Sequence, residues 1–295
     1  MKKIKRINYN YKKNASSALL ANRHRQSKKA LYKLFDSSRY SVDLILRRLP
    51  DSFYPKLVCD IGAGYGALAI NFALKGIKTV AIEPLKEDRK LLKQIMEKHP
   101  SAKMLLKVID AKAEKLPVKN ASIDLCILSQ VLEHVENPME TLKEASRVLK
   151  TGGYLYLASP NYIFPMEQHY RLLYLPLMPK ELLYSWVLFY FKFFKKQTFK
   201  KEELKDISNF IIGLNYTRHK MVDKLFKKNH LKIIWSASSE NSSILTQILK
   251  HWKANPRITS IPLLFISLPL KISRAILTCF GFLPKKLEYV AVKVK

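Results

Sequence analysis

Three glycines at alternate positions, Gly62, Gly64 and Gly66, follow directly on the apolar run Leu57-Val-Cys-Asp-Ile61. An acidic residue, Glu83, closes the next apolar run, Lys78-Thr-Val-Ala-Ile-Glu83. A strand ending in such a turn brings bare backbone close to a ligand, because glycine carries no Cβ to hold it off. The helix behind the turn presents free N–H groups at its start. A carboxylate one βα unit later can accept hydrogen bonds from both hydroxyls of a ribose. These residue types at this spacing predict a site for a nucleoside-type cofactor.

The glycines alone leave two cofactors open, since Gly62-x-Gly64-x-x-Ala67 also satisfies the loose dinucleotide pattern. The segments around them decide. Asp60-x-Gly62-x-Gly64-x-Gly66 is followed by Glu83, by Ala113-Glu-Lys-Leu-Pro117, by Asp124-Leu-Cys-Ile-Leu-Ser-Gln-Val-Leu-Glu-His-Val135 and by Arg147-Val-Leu-Lys-Thr-Gly-Gly153. In this order the chain resembles the class I S-adenosylmethionine (SAM) methyltransferases, nearest the group that includes ubiquinone and menaquinone methyltransferases. The resemblance spans residues 55–160 closely, with a weaker match at the tail. It implies an α/β fold of the Rossmann-like methyltransferase kind, a doubly wound, mostly parallel seven-stranded sheet with an antiparallel last strand. It also implies SAM as cofactor.

By the same resemblance, Gly62, Gly64 and Gly66 would pass under the methionine portion of SAM. Asp60 would orient that turn or reach the amino group through water, and Glu83 would hold the ribose hydroxyls. Ala113 and Glu114 would edge the adenine, while Ser129 and Gln130 would line the site after the fourth strand. Lys112 stands where the family often has Asp or Ser, and Asp110 could replace that contact only with a reshaped loop. Certain quinone O-methyltransferases bind a divalent metal through an earlier Glu and a Glu-His pair. Here Gln130, a neutral and poorer ligand, takes the earlier place before Glu133-His134, so no metal is expected. Methyl transfer is an in-line displacement that asks for alignment, exclusion of water and a base if the acceptor is protonated. His169, next to Tyr170, ranks first as that base and His134 second, with backbone bonding the leading role for His134.

Strands alternate with helices through the middle of the chain, which predicts a parallel sheet with right-handed crossovers. Strands are expected over 56–61, 78–83, 104–109, 123–128, 153–158, 231–236 and 287–294, and helices over 66–75, 85–98, 138–150 and 218–229. Asn137, Pro138 and Glu140 mark the start of the third helix. Ahead of this core lie a basic, mobile arm over 1–26 and one or two amphipathic helices within 27–50. The SAM-binding core covers 51–160. Two apolar, lysine-fringed helical insertions are expected over 161–217 and within 238–286, the latter inside the 218–295 segment that completes the sheet. With the last strand antiparallel, both would leave the sheet at its carboxyl edge, where ligands bind. Neither reads as a membrane span. Apolar runs of about a dozen residues with flanking lysines suit segments lying in a membrane interface, or ordinary helices covering the sheet.

The net charge of +30 is unevenly placed. Residues 51–160 carry 16 Lys/Arg against 13 Asp/Glu, residues 1–50 carry 14 against 2, and residues 161–295 carry 23 against 8. A lysine-rich genome would spread the excess evenly, so an anionic partner is the better account. Three scattered cysteines, Cys59, Cys126 and Cys279, predict neither disulfides nor a zinc site, and Cys59 and Cys126 read as buried thiols. The start Met-Lys-Lys-Ile-Lys-Arg lacks a signal-peptide apolar stretch, which leads to the expectation of a cytoplasmic protein, peripheral at the inner membrane face. Three functions follow: a SAM-dependent methyltransferase acting on a lipid, quinone or lipid-linked glycan, a nucleic-acid methyltransferase, or a SAM-binding protein without turnover. The Asp/Asn-Pro-Pro-Tyr type of sequence used by amino-methylating nucleic-acid enzymes is absent after Ile127-Leu-Ser-Gln130.

Overall fold

β1 (Leu57–Ile61) is apolar but for Asp60, and from Val58 to Ile61 it is buried, because both its faces are covered. It lies between β2 (Lys78–Ile82) and β4 (Ile123–Ser129), with Cys59 opposite Val80 on one side and Cys126 on the other. The computed structural model describes residues 28–161, 166–167, 172–173, 180–191, 193, 206–207, 210–211, 213–215, 219–237 and 286–294. The expected basic arm, the body of the second insertion, His169 and Tyr170 lie outside the described residues. With β3 (Leu106–Ile109), β5 (Leu149–Pro160), β8 (Leu231–Ser236) and β9 (Lys286–Lys293), the sheet has seven strands in the order β3-β2-β1-β4-β5-β9-β8. All neighbouring pairs from β3 to β5 are parallel, and β9 is antiparallel to both β5 and β8.

Helices cover both faces. On one face α1 (Lys28–Arg47) and α2 (Ala67–Leu74) place Val42, Ile45 and Phe72 against Val58, Leu125, Ile127 and Val290. On the other, α5 (Pro138–Val148) and α7 (His219–Lys228) set Leu142, Ala145 and Phe226 against Cys59, Cys126, Leu155 and Leu157. α3 (Lys86–Met96) and α4 (Pro100–Leu105) extend the first layer through Leu92, Met96 and Ala102. Cys59 and Cys126 are free and buried, and burial followed by the Cys59 contact pushes the Cys126 thiol well up. Among the described residues, one helix, α1, occupies the stretch from 28 to 47.

Two boundaries differ from expectation. The strand expected from 104 begins at Leu106, because Pro100 opens the short helix α4. α5 stops at Val148 and β5 starts at Leu149, where a helix to 150 and a strand from 153 were expected. Leu149 pairs with Ile123 before a register shift carries the ladder to Leu125–Tyr154, and Lys150 Nζ holds Asp124 Oδ1 at 2.6 Å. Long-range pairing therefore claims residues that local helical pattern would have kept. Asp124 Oδ2 also accepts the N–H groups of Lys56 and Leu57, at 2.9 and 2.8 Å, which fixes the start of β1.

The strand register places every described exit at one edge. Pro160 at the end of β5 faces Lys286 at the start of β9, and Ser236 at the end of β8 faces Tyr289. These are the carboxyl ends of the parallel strands. The chain re-enters at Asn215, whose N–H donates to Glu133 O at 2.8 Å beside the end of β4. By contact clustering the chain forms two units, Tyr32–Phe164 with Asn215–Lys295, and Met1–Leu31 with Pro165–Leu214. The second holds a two-residue ladder, β6 (Met166–Glu167) with β7 (Leu172–Leu173), and α6 (Lys180–Tyr190). Among the described residues, no helix is long and apolar enough to cross a membrane.

Candidate functional site

The turn after β1 is folded over the end of β2. The N–H groups of Gly62 and Ala63 both donate to Ile82 O, at 2.8 and 2.9 Å, and Gly66 N–H donates to Ala63 O at 2.9 Å. All three glycines are left-handed, with φ of 70°, 56° and 79°. Two of them are demanded by packing within the protein. A Cβ on Gly62 would stand 2.7 Å from Val131 Cγ2, and one on Gly66 would stand 2.7 Å from Leu92 Cδ1. Gly66 also serves as the N-cap of α2. The bare surface expected of three glycines is thereby narrowed, with Gly64 as the one whose N–H meets the acidic group of the site.

Glu83, 5% exposed at the carboxyl end of β2, accepts Gly64 N–H on Oε2 at 2.7 Å and Leu85 N–H on Oε1 at 2.8 Å. A carboxylate has about four lone-pair positions, so its chemistry suits hydroxyl donors as well as amides. Arg89 braces the same corner, donating to Glu83 O at 2.8 Å and to Asp110 Oδ2 at 2.5 Å. Asp60, 3% exposed, lies behind the turn on β1. Burial pushes its carboxyl up to about 7, against the Ala69 N–H that pulls it down, and the Glu83 charge adds to the rise. Its Oδ2 has no hydrogen-bond partner among the described residues. A buried acceptor left open in this way calls for an explanation, and a cationic or hydrogen-bonding ligand supplies one.

On the neighbouring strand, Ser129 ends β4 and Gln130 turns the chain in a left-handed conformation, φ 58°. Gln130 N–H donates to Ala158 O at 2.7 Å, whereas its buried Nε2 lacks a partner among the described residues. The strand ends thus carry one open acceptor, Asp60 Oδ2, and one open donor, Gln130 Nε2. A ligand with a ribose, an ammonium group and a carboxylate, as SAM has, matches that donor set. The residues present fit the cofactor that the motifs imply.

Other expected site residues carry structural bonds. Glu114 Oε1 accepts the N–H groups of Glu136 and Asn137, at 2.7 and 3.3 Å, and so anchors the approach to α5. Ala113 is buried in the core with Leu116. Lys112 pairs with Glu136 at 3.1 Å, and Asp110 is held by Arg89. His134 N–H donates to Val131 O at 2.8 Å, and its Nε2 lies 3.8 Å from Glu133 Oε1. Glu133 is itself buried, with Ser159 Oγ donating to its Oε2 at 3.3 Å.

Two contributors escaped the sequence reading. Arg147 was visible within its motif but had no assigned role. Its guanidinium donates to Leu116 O at 2.8 Å and Val118 O at 2.9 Å, and it pairs with Glu144, which also accepts Leu116 N–H at 2.7 Å. The loop carrying Ala113 and Glu114 is therefore pinned to α5. Asn215 gave no sequence signal at all. Its Nδ2 donates to Leu132 O at 3.1 Å and Val135 O at 2.6 Å, clasping the turn after β4.

Comparison with known proteins agrees with this geometry. A family described as "Methyltransferase domain" matches residues 59–157. An uncharacterised methyltransferase of Mycobacterium sp. (strain JLS) is 31% identical over 114 residues, which cover 39% of this chain and 42% of the relative. The match thus takes in less than half the length of that curated protein. Among solved structures, geranyl diphosphate C-methyltransferase from Streptomyces coelicolor A3(2) superposes with a TM-score of 0.54 at 13% identity, over 92% of this chain and 85% of that one. The [4+2]-cyclase SpnF does so with 0.51 at 15% identity, over 86% and 81%. At such identities these two show the fold alone, and the cyclase is a reminder that one fold hosts several chemistries. Residues 59–157 thus match the methyltransferase-domain family, and they lie within a seven-stranded, mostly parallel, Rossmann-like sheet.

Proposed function

We propose that the protein is a SAM-dependent methyltransferase whose acceptor is a hydrophobic or membrane-borne small molecule, such as a lipid, quinone or lipid-linked glycan. The observation that carries the cofactor reading is the Glu83 carboxylate on Gly64 N–H at 2.7 Å beside the open Asp60 Oδ2. Bound SAM would supply an activated methyl group on a sulfonium. Glu83 would take the ribose hydroxyls, Gly64 would let the backbone approach, and Asp60 would face the cationic amino end. The S. coelicolor neighbour was crystallised with S-adenosyl-L-homocysteine (SAH) and geranyl diphosphate, an example of this fold working on an isoprenoid.

The acceptor class rests on composition and topology. In the sequence, apolar stretches such as Leu182-Leu-Tyr-Ser-Trp-Val-Leu-Phe-Tyr-Phe191 follow Pro160, where β5 ends. The excess of Lys/Arg lies on either side of the core rather than in it. A nucleic-acid acceptor would also draw on that charge, but its binding should fade steeply with salt.

The test is twofold. Calorimetry should detect SAH binding to the wild type and a loss of about tenfold or more in Glu83→Ala, since one charged hydrogen-bond acceptor contributes on that scale. Labelled SAM incubated with membrane extract or with total RNA then assigns the acceptor. Absence of SAH binding by the wild type rejects the cofactor reading, label in RNA alone rejects the lipid reading, and binding without label in either leaves a SAM-binding protein without turnover.

A further inference from the structure

α6 and the residues just after it, to Phe193, divide their side chains by exposure. Val187 and Phe191 are buried, at 0% and 3%, whereas Leu182 is 59%, Phe189 43% and Phe193 58% exposed, with Trp186 partly buried between them. Residues 182, 186, 189 and 193 are spaced by four, three and four, which places them along one side of a helix. The aromatic members touch one another: the Trp186 and Phe189 rings lie 5.6 Å apart and those of Phe189 and Phe193 4.7 Å apart. The result is a ridge on which three large apolar groups, Leu182, Phe189 and Phe193, are exposed together, where single exposed residues would need no explanation.

We infer that this ridge, Leu182-Trp186-Phe189-Phe193, is a membrane-docking surface that seats the protein on a bilayer containing anionic lipid. Three observations select a bilayer over another occupant. α6 is 11 residues long, far short of the roughly 20 that a span requires, so such a ridge can enter the headgroup boundary but cannot cross. In the sequence, lysines stand at 180, 192, 195, 196, 200 and 201, with Glu181 as the one acid from 180 to 201. The residues from 161 onward carry 23 Lys/Arg against 8 Asp/Glu, a sign that suits an anionic headgroup layer. Aromatic rings beside lysines are the composition of an interfacial anchor, with rings among the acyl-chain ends and ammonium groups at the phosphates. A protein interface of similar area would hold such charge down at its centre and would need no excess of one sign.

The inference deepens the proposed function by naming a surface that would bring the protein to a lipid-soluble acceptor, yet it stands on residues 182–193 alone. Flotation of the full chain with phosphatidylcholine vesicles, with and without phosphatidylglycerol, at low and at molar salt reads it out. The wild type should float with the anionic vesicles and retain part of that binding at molar salt, because apolar insertion is not screened. Phe189→Ser/Phe193→Ser should lower partition by about tenfold or more, since two exposed rings leave the bilayer. SAH affinity measured on the same preparations should stay as in the wild type, which shows that the variant is folded. Equal flotation of the double variant, or no flotation of the wild type, overturns the assignment. So does a concentration-dependent dimer that the double variant abolishes without any vesicle binding, because the ridge then belongs to a second copy. Vesicle binding by a chain that fails to bind SAH keeps the ridge and removes the cofactor reading, so the two fail separately.

Discussion

Val131 Cγ2 occupies the place where a side chain on Gly62 would begin, 2.7 Å from the Cβ position of that glycine. The turn after β1 and the turn after β4 are therefore in direct contact, and the missing Cβ is what allows it. Gly62→Ala should cost about 2–4 kcal/mol, from a left-handed φ of 70° together with the clash. Gly76→Ala shares the left-handed φ, 81°, but meets nothing within 4 Å, so it should cost about 1–2 kcal/mol. Chemical denaturation checks the ordering. Adding Val131→Ala to Gly62→Ala should recover part of the loss, and a strictly additive double variant would show that the contact is irrelevant.

Asp60 predicts a pH dependence. Its carboxyl sits at about 7 in the folded chain, above the usual 3.9 or so of an unfolded aspartate. The folded state holds a proton that the unfolded state has released, so this stabilisation is complete below about pH 4 and is lost as pH rises through about 7. Asp60→Asn should raise the cofactor-free melting temperature near pH 8 and flatten its fall between about pH 4 and 7. A wild-type profile that rises over that window would contradict the burial argument.

Arg147 should resist its conservative replacement. Lysine keeps the charge but cannot serve Leu116 O, Val118 O and Glu144 from one planar fork. Arg147→Lys is expected to lower stability by about 1–3 kcal/mol. Amide exchange should accelerate at Leu116, whose N–H is held by Glu144. Unchanged exchange there would mean the loop is fixed by its own core residues.

Asn215 ties the returning chain to the turn after β4 by three hydrogen bonds, one from its N–H and two from its Nδ2. Asn215→Asp replaces the donor with a carboxylate facing two carbonyl oxygens and should cost about 2–3 kcal/mol, more than Asn215→Ala. Exchange of the His134 amide, which closes that turn on Val131 O, is the local readout. An aspartate variant as stable as the alanine one would show that the carbonyls are satisfied elsewhere.

Much of the sheet was legible because its signals are local. Apolar runs of five to seven residues, glycine turns and the Asn137-Pro138 cap act through a few neighbouring residues, and Asn137 Oδ1 does accept from Met139 and Glu140 at 3.0 and 3.2 Å. The pattern misled where partners distant in sequence compete. Leu149 and Lys150 would extend a helix alone, but pairing with Ile123 and Asp124 makes them strand.

The linear chain by itself determined the strand–helix alternation, the cofactor turn with Glu83 behind it, and the segregation of charge, since each follows from residue type and short spacing. Only the tertiary structure decided which glycines serve packing. Gly62 and Gly66 face Val131 and Leu92, residues 69 and 26 positions away, and no local pattern records such an approach. It likewise turned Glu114 toward the amides of Glu136 and Asn137, and made Asn215 a clasp. Those roles depend on where unmet backbone donors and acceptors come to lie once the chain is closed, and folding alone brings them within hydrogen-bonding distance.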